Sequence, residues 1–150
     1  MFNPVLHAPR IRRVPERAGG FALCWIGAPS GSAWRHRSLK LAFGFKCAFR
    51  PTVIKGLDGA GIDWDIVVET ESDCTIEATV SADLAVHTML EGTEPPHMER
   101  VDHNNSLPKL PAQKVNLYGS GGSKCVVHDS LADMLRCAFR GNEKVKLSAT

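Results

Sequence analysis

The chain has 150 residues, of which 43% are apolar and 23% are charged, and its formal net charge is +2. This length and composition predict one ordinary globular domain that buries about two-thirds of its unfolded surface. No apolar run approaches the ~20 residues that a membrane span needs. The N-terminus is polar, broken by proline and without the apolar core of a secretory signal, so we expect a cytoplasmic protein.

The predicted elements alternate between short strands and short helices. Prolines interrupt every helix in residues 1–20, which we expect to be a disordered lead-in. Short apolar or β-branched runs predict strands at 21–28, 46–49, 64–70, 84–90 and 114–118. Apolar residues at helical spacing predict helices at 51–59, 74–82 and 126–140. Gly141 is expected to end the last helix and to leave residues 141–150 as a tail. Residues 92–105 are predicted as a loop, with a short strand at 98–102 as the alternative. Strands that alternate with helices predict an α/β domain with a mainly parallel sheet.

Charge is unevenly distributed along the chain. Before Leu57 all but one of the charged residues are basic, and from Asp58 to Glu99 all are acidic. A basic end is typical of nucleic-acid-binding proteins, but prolines and glycines there prevent a regular recognition helix. We therefore expect no direct DNA binding by this chain, and a sheet whose two ends differ in potential.

The motifs of most enzyme and metal-site classes are missing. The five cysteines form no C-x-x-C pair, and no histidine has metal-ligand spacing with a cysteine. There is no G-x-S-x-G, and the GSGG segment lacks the spacing of a phosphate-binding loop. We expect reduced thiols, no metal, no cofactor and no catalytic activity.

A polar turn lies between the strand predicted at 64–70 and the helix predicted at 74–82. It consists of Thr70, Glu71, Ser72 and Asp73. A strand that ends at a helix N-terminus leaves free N–H groups toward the crevice where α/β sheets bind ligands. The turn is therefore a candidate ligand site, and the alternative is that Ser72 or Asp73 only caps its own helix.

Two further residues are weighed as site candidates. Arg50 ends the strand predicted at 46–49, just before Pro51, where it could clamp a carboxylate with two hydrogen bonds. The alternative is an ordinary surface arginine. His87 lies inside the strand predicted at 84–90, where a structural, hydrogen-bonded histidine is the alternative to a ligand contact.

Four segments in sequence order resemble the effector-binding (substrate-binding) domain of LysR-type transcriptional regulators. They are CWIGAPSGSAWRHRSLKLAF, CAFRP, GIDWDIVVETESDCTIEATVSADLAVHTMLEGT and LPKLPAQKVNLY. The resemblance runs from about Leu23 to Arg140, which is most of the chain. It depends on the order of long segments and not on one short motif.

The resemblance implies a periplasmic-binding-protein-like (type 2) fold of two α/β lobes, with a small-molecule effector between them. Residues 30–105 would be the complete second lobe, 23–28 and 115–118 the two crossover strands, and 126–140 the final helix. The family's winged helix-turn-helix, linker helix and most of the first lobe have no counterpart here. The implied cleft residues are the group Phe49, Arg50 and Pro51, the polar turn, and the start of the strand with His87.

The function implied by the resemblance is that of a truncated effector-binding domain. It would bind a small polar or anionic effector and would have no DNA-binding domain of its own. The alternative is an interaction module, because the apolar face of the helix at 126–140 would lack the first lobe that normally covers it. Such a chain would self-associate or pair with a full-length regulator.

Overall fold

A computed structural model describes residues 15–118 and 126–147. Residues 1–14 of the predicted lead-in, the GSGG segment and residues 148–150 lie outside the described residues. The strands and helices are β1 (Pro15–Phe21), β2 (Leu23–Gly27), β3 (Leu39–Phe43), α1 (Arg50–Gly59), β4 (Trp64–Glu69), α2 (Asp73–Ser81), β5 (His87–Leu90), β6 (Glu99–Arg100), β7 (Gln113–Tyr118) and α3 (Val126–Leu147). Among these elements, no helix is both long and apolar enough to cross a membrane.

The chain divides into two compact units. One is the segment 21–113, and the described part of the other consists of 15–20, 114–118 and 126–147. The larger unit holds β2 to β6 with α1 and α2. The smaller one holds α3 and most of the two-stranded β1–β7 sheet.

The strands of the larger unit follow the order β4-β3-β5-β2-β6. The β3 and β4 strands pair in parallel, and a parallel bridge between Leu41 and Val86 joins β3 to the start of β5. The β2 strand then pairs antiparallel with β5 on one side and with β6 on the other. The predicted α/β class is confirmed, and parallel pairing lies in the β4-β3-β5 half of the sheet.

The two helices cover opposite faces of this sheet. Val53 and Leu57 of α1 are fully buried in one core cluster, with alternate residues of β2 and β3. Ile76 and Val80 of α2 are buried in a second cluster, with Ile26 and other residues from the opposite sheet face. Alternation along the strands supplies apolar side chains to both faces, as expected for a sheet buried between helices.

Three predictions of local structure are wrong. Residues 15–20 belong to β1 and are not a disordered lead-in; Pro15 is tolerated because it is the first residue of the strand. The strand predicted at 46–49 is a pair of turns, in which the Cys47 N–H donates to the Gly44 carbonyl and the Arg50 N–H to the Cys47 carbonyl. Helix α3 continues through Gly141 to Leu147, since one internal glycine costs only about 1 kcal/mol relative to alanine and no proline follows it.

Candidate functional site

A cavity of about 320 Å³ lies beside β5, within the size range of small-molecule sites. Its lining comes from the turn before α1, the first half of α2, β5 and the loop that follows β5. The lining residues are Cys47, Phe49, Asp73, Ile76, Glu77, His87, Thr88, Met89, Leu90, Thr93 and Pro95.

The cavity exists because β3 ends before its neighbour β5 does. The Ala42 N–H donates to the Val86 carbonyl at 3.1 Å, and β3 ends one residue later at Phe43. The β5 strand continues from His87 to Leu90. The parallel bridge between Leu41 and Val86 places Thr88 opposite Phe43, so Met89 and Leu90 extend past the end of β3. This extension of β5 borders the cavity.

The His87 ring is held in one orientation at this edge. Its Nδ1 lies 2.7 Å from the Ala42 carbonyl oxygen, and its ring centroid lies 5.0 Å from that of Phe43. A carbonyl oxygen only accepts, so Nδ1 carries the proton and Nε2 is left as an acceptor. Burial lowers the pKa of His87, and the bond to Ala42 and the charges of Asp73 and Glu77 only partly oppose this shift. His87 is thus a neutral imidazole at neutral pH.

Thr88 borders the cavity, but its hydroxyl is buried. Its side chain is 1% exposed, and its Oγ1 has no hydrogen-bond partner among the residues that the structure describes. A buried polar group left unpaired costs about 1–3 kcal/mol.

Two carboxylates stand on the α2 side of the cavity. Asp73 and Glu77 are four residues apart and therefore lie on one face of the helix. The Glu77 Oε2 atom lies 3.0 Å from Nε2 of His97. The negative charges of Asp73 and Glu77 favour the protonated form of His87 and so oppose part of the decrease in pKa that burial causes.

The structure brings three of the predicted site residues together. Phe49, Asp73 and His87 come from three different elements and line the one cavity. Cys47, Ile76, Glu77, Thr88, Met89, Leu90, Thr93 and Pro95 complete it and were not predicted. Of these, Glu77 could have been predicted from the sequence, because it follows Asp73 by one helical turn and therefore lies on the same face of the predicted helix.

The rest of the polar turn is occupied by local hydrogen bonds and does not line the cavity. The Thr70 N–H donates to the Phe43 carbonyl at 3.2 Å, and its Oγ1 accepts from the Ser72 N–H at 3.1 Å. Ser72 is the N-cap of α2, and its Oγ accepts from the Thr75 N–H at 3.4 Å. Glu71 is exposed.

Arg50 and Pro51 also stand away from the cavity lining. Pro51 lies in the first turn of α1, as predicted. The Arg50 guanidinium forms an ion pair with Glu69, the last residue of β4. Lys40 of β3 pairs in the same way with Asp65 at 2.9 Å. The basic and acidic stretches of the chain thus meet side by side at the β3–β4 pair.

A second, larger cavity of about 720 Å³ lies beside the start of β2 and is lined by residues 22–25, 100–105 and 108–110. Its walls are fixed by internal bonds: Trp25 Nε1 donates to the Pro108 carbonyl at 3.0 Å, and His103 Nδ1 accepts from the Leu107 N–H at 3.2 Å. Within the described part of the chain, no group of three or more His, Cys, Asp or Glu residues is placed to hold a metal ion.

Comparison with solved structures identifies the architecture. The regulatory domain of Synechocystis CcmR, in complex with 2-PG, matches with a TM-score of 0.57 at 13% identity, over 88% of this chain and 69% of that one. The effector-binding domain of QuiR, in complex with shikimate, matches with a TM-score of 0.54 at 12% identity, over 86% of this chain and 66% of that one. This chain has the fold of a LysR effector-binding domain.

The LysR effector-binding domain of BenM, with its effector benzoate, is similar as well. It matches with a TM-score of 0.51 at 12% identity, over 94% of this chain and 67% of that one. The chain thus spans about two-thirds of the length of these LysR domains. No protein-family model and no curated protein matches the sequence. The periplasmic-binding-protein-like (type 2) class that the resemblance implied is confirmed.

Proposed function

We propose that this chain is an effector-binding module of the LysR type, which binds a small polar molecule in the cavity beside β5. The observation that carries the proposal is the convergence of Phe49, Asp73 and His87 on one cavity of suitable volume. Solved domains of the same fold hold 2-PG, shikimate and benzoate, which supports a small effector here.

The free side of the His87 ring supports the same proposal, since its Nε2 is left as a hydrogen-bond acceptor. The role is that of a binding module and not of an enzyme. DNA binding would come from another chain or segment. The lobe assignments, the cytoplasmic location and the ligand roles of Arg50, Pro51, Thr70, Glu71 and Ser72 stay predictions.

The test is a thermal-shift screen against small polar metabolites of both charge signs. Thr93 lines the mouth of the cavity and is exposed, so Thr93→Trp should fill the mouth without disturbing the core. Hits should raise the melting temperature of the parent chain and not that of the variant. Ala78→Trp, on the exposed side of α2, is the matched control and should respond like the parent. Hits that stabilise all three chains equally would contradict binding in this cavity.

A second candidate function is self-association through α3. Val127, Leu131 and Met134 follow one stripe of this helix and are 69%, 53% and 70% exposed. Three exposed apolar side chains at helical spacing are typical of a surface that binds another helix. We propose that the partner is a second copy of this chain. Pairing with a full-length regulator is the other form that this association would take.

Light scattering during size-exclusion chromatography measures this directly. The self-association proposal expects a dimer mass, and a monomer mass for the double variant Leu131→Glu, Met134→Glu. A parent chain that is monomeric at high concentration would contradict it.

A further inference from the structure

We infer that the cavity beside β5 selects a ligand with a positively charged hydrogen-bond donor, such as an amine or amidine, which binds between Asp73 and Glu77. This inference rests on the proposed effector-binding function. It departs from the anionic effectors that the sequence alone left open.

The hydrogen-bonding inventory of the cavity is rich in acceptors. The Asp73 carboxylate has no side-chain hydrogen bond or ion pair in the described structure, and Glu77 uses only Oε2, toward His97. His87 offers Nε2 as an acceptor because Nδ1 donates to Ala42. An acceptor-rich wall is satisfied by a ligand that brings donors.

The charges favour the same ligand. The lining contains two carboxylates and neither lysine nor arginine. Arg50, the cation that the sequence predicted for the site, is paired with Glu69. A bound anion would therefore meet the Asp73 carboxylate, together with a Glu77 whose partner is the His97 ring, and like charges at close range are costly in a partly buried site. A cation between the two carboxylates forms charge-assisted hydrogen bonds.

The remaining walls are apolar and suit a flat ring. Phe49, Ile76, Met89 and Leu90 supply this surface. A ligand that fits both parts has an apolar body and a cationic head, with the head toward α2.

Benzamidine, benzamide and benzoate form a matched set for the test, since they share a ring and differ in the charge of the head group. Isothermal titration and NMR shift mapping on the intact chain should show benzamidine binding at the cavity residues, about tenfold or more tighter than benzoate. Asp73→Asn and Glu77→Gln should each weaken benzamidine about fivefold or more. Asp65→Asn removes an exposed carboxylate outside the cavity and should leave its affinity unchanged.

The outcomes separate this inference from the proposed function. Benzoate that binds in the cavity as tightly as benzamidine overturns the cation preference and leaves effector binding standing. Benzamidine that fails to bind, or binds equally well to the Asp73 and Glu77 variants, also overturns the inference. The proposed function itself is decided by the metabolite screen with Thr93→Trp, which does not depend on the charge of the probe.

Discussion

His87 donates its Nδ1 proton to the carbonyl oxygen of Ala42 across 2.7 Å. The His87 side chain, which comes from β5, thus supplies the hydrogen bond that a backbone N–H of β5 would donate to this carbonyl if the β3–β5 ladder continued. The same bond fixes the tautomer and leaves Nε2 as an acceptor. One hydrogen bond thus satisfies the carbonyl group near the end of β3 and determines that the ring presents an acceptor.

The pH dependence of stability should carry the signature of this histidine. Because burial lowers the pKa of His87 from its ordinary 6.5, the unfolded chain binds this proton at a higher pH than the folded chain does. Stability should be complete above about pH 6.5 and fall as the pH drops through that value toward the lower folded pKa. Urea unfolding at about pH 7.5 and about pH 5.5 measures the difference.

His87→Gln should reduce that difference. An identical pH response in the parent chain and His87→Gln would contradict the neutral, buried state of His87.

Asp83 should stabilise the loop before β3 through its carboxylate. Its oxygens accept from the Ser32 and Ala33 N–H groups at 2.8–3.0 Å and from the Ser32 hydroxyl at 3.0 Å. We expect Asp83→Ala to lower the free energy of unfolding by about 2 kcal/mol, as for the loss of a strong capping side chain. Asp83→Asn should cost less, because asparagine keeps an acceptor and tolerates the positive φ of 58° at this position. Denaturant unfolding of the two variants compares them.

The acid response of Asp83 has the same sign as that of His87, but it belongs to a lower pH range. Burial alone would raise the pKa of Asp83, but the bonds from Ser32 and Ala33 outweigh it and lower that pKa below the ordinary 3.8. Its contribution is complete above about pH 4 and is lost as the pH falls through the folded pKa. Asp83→Asn should flatten the acid limb of stability, and an unchanged acid limb would contradict this.

Ser72 should act as a helix cap. Its Oγ accepts from the Thr75 N–H, so Ser72→Ala should destabilise the chain by about 1 kcal/mol, while Ser72→Asn should stay within a few tenths of the parent. Thermal unfolding with circular dichroism measures both. Equal stability of Ser72→Ala and the parent would mean that the cap contributes nothing.

Local signals allowed much of the larger unit to be predicted. The helix α1 begins one residue before its predicted start, and α2 follows a polar turn whose serine is the N-cap. Short apolar runs were harder, because a four-residue run does not distinguish a strand from turns. The segment 46–49 was assigned to a strand for that reason, although its neighbour 39–43 is the one that pairs with β4.

The cavity could not be predicted in full for a different reason. The cavity depends on where β3 ends relative to β5. The register between the two strands is set by tertiary packing and cannot be deduced from the sequence of either strand alone. Phe49, Asp73 and His87 were accessible through the family resemblance. Met89 and Leu90 line the cavity on the part of β5 that continues past Phe43.

The central claim is that a small molecule binds at the end of β3, and chemical-shift mapping tests it most directly. The parent chain would be titrated with a hit from the metabolite screen while the Met89 methyl and the His87 Cε1–H signals are followed. The account predicts saturable shifts at both residues, and their loss in Thr93→Trp but not in Ala78→Trp. Saturable binding that leaves Met89 and His87 unshifted, and is unaffected by Thr93→Trp, would contradict it.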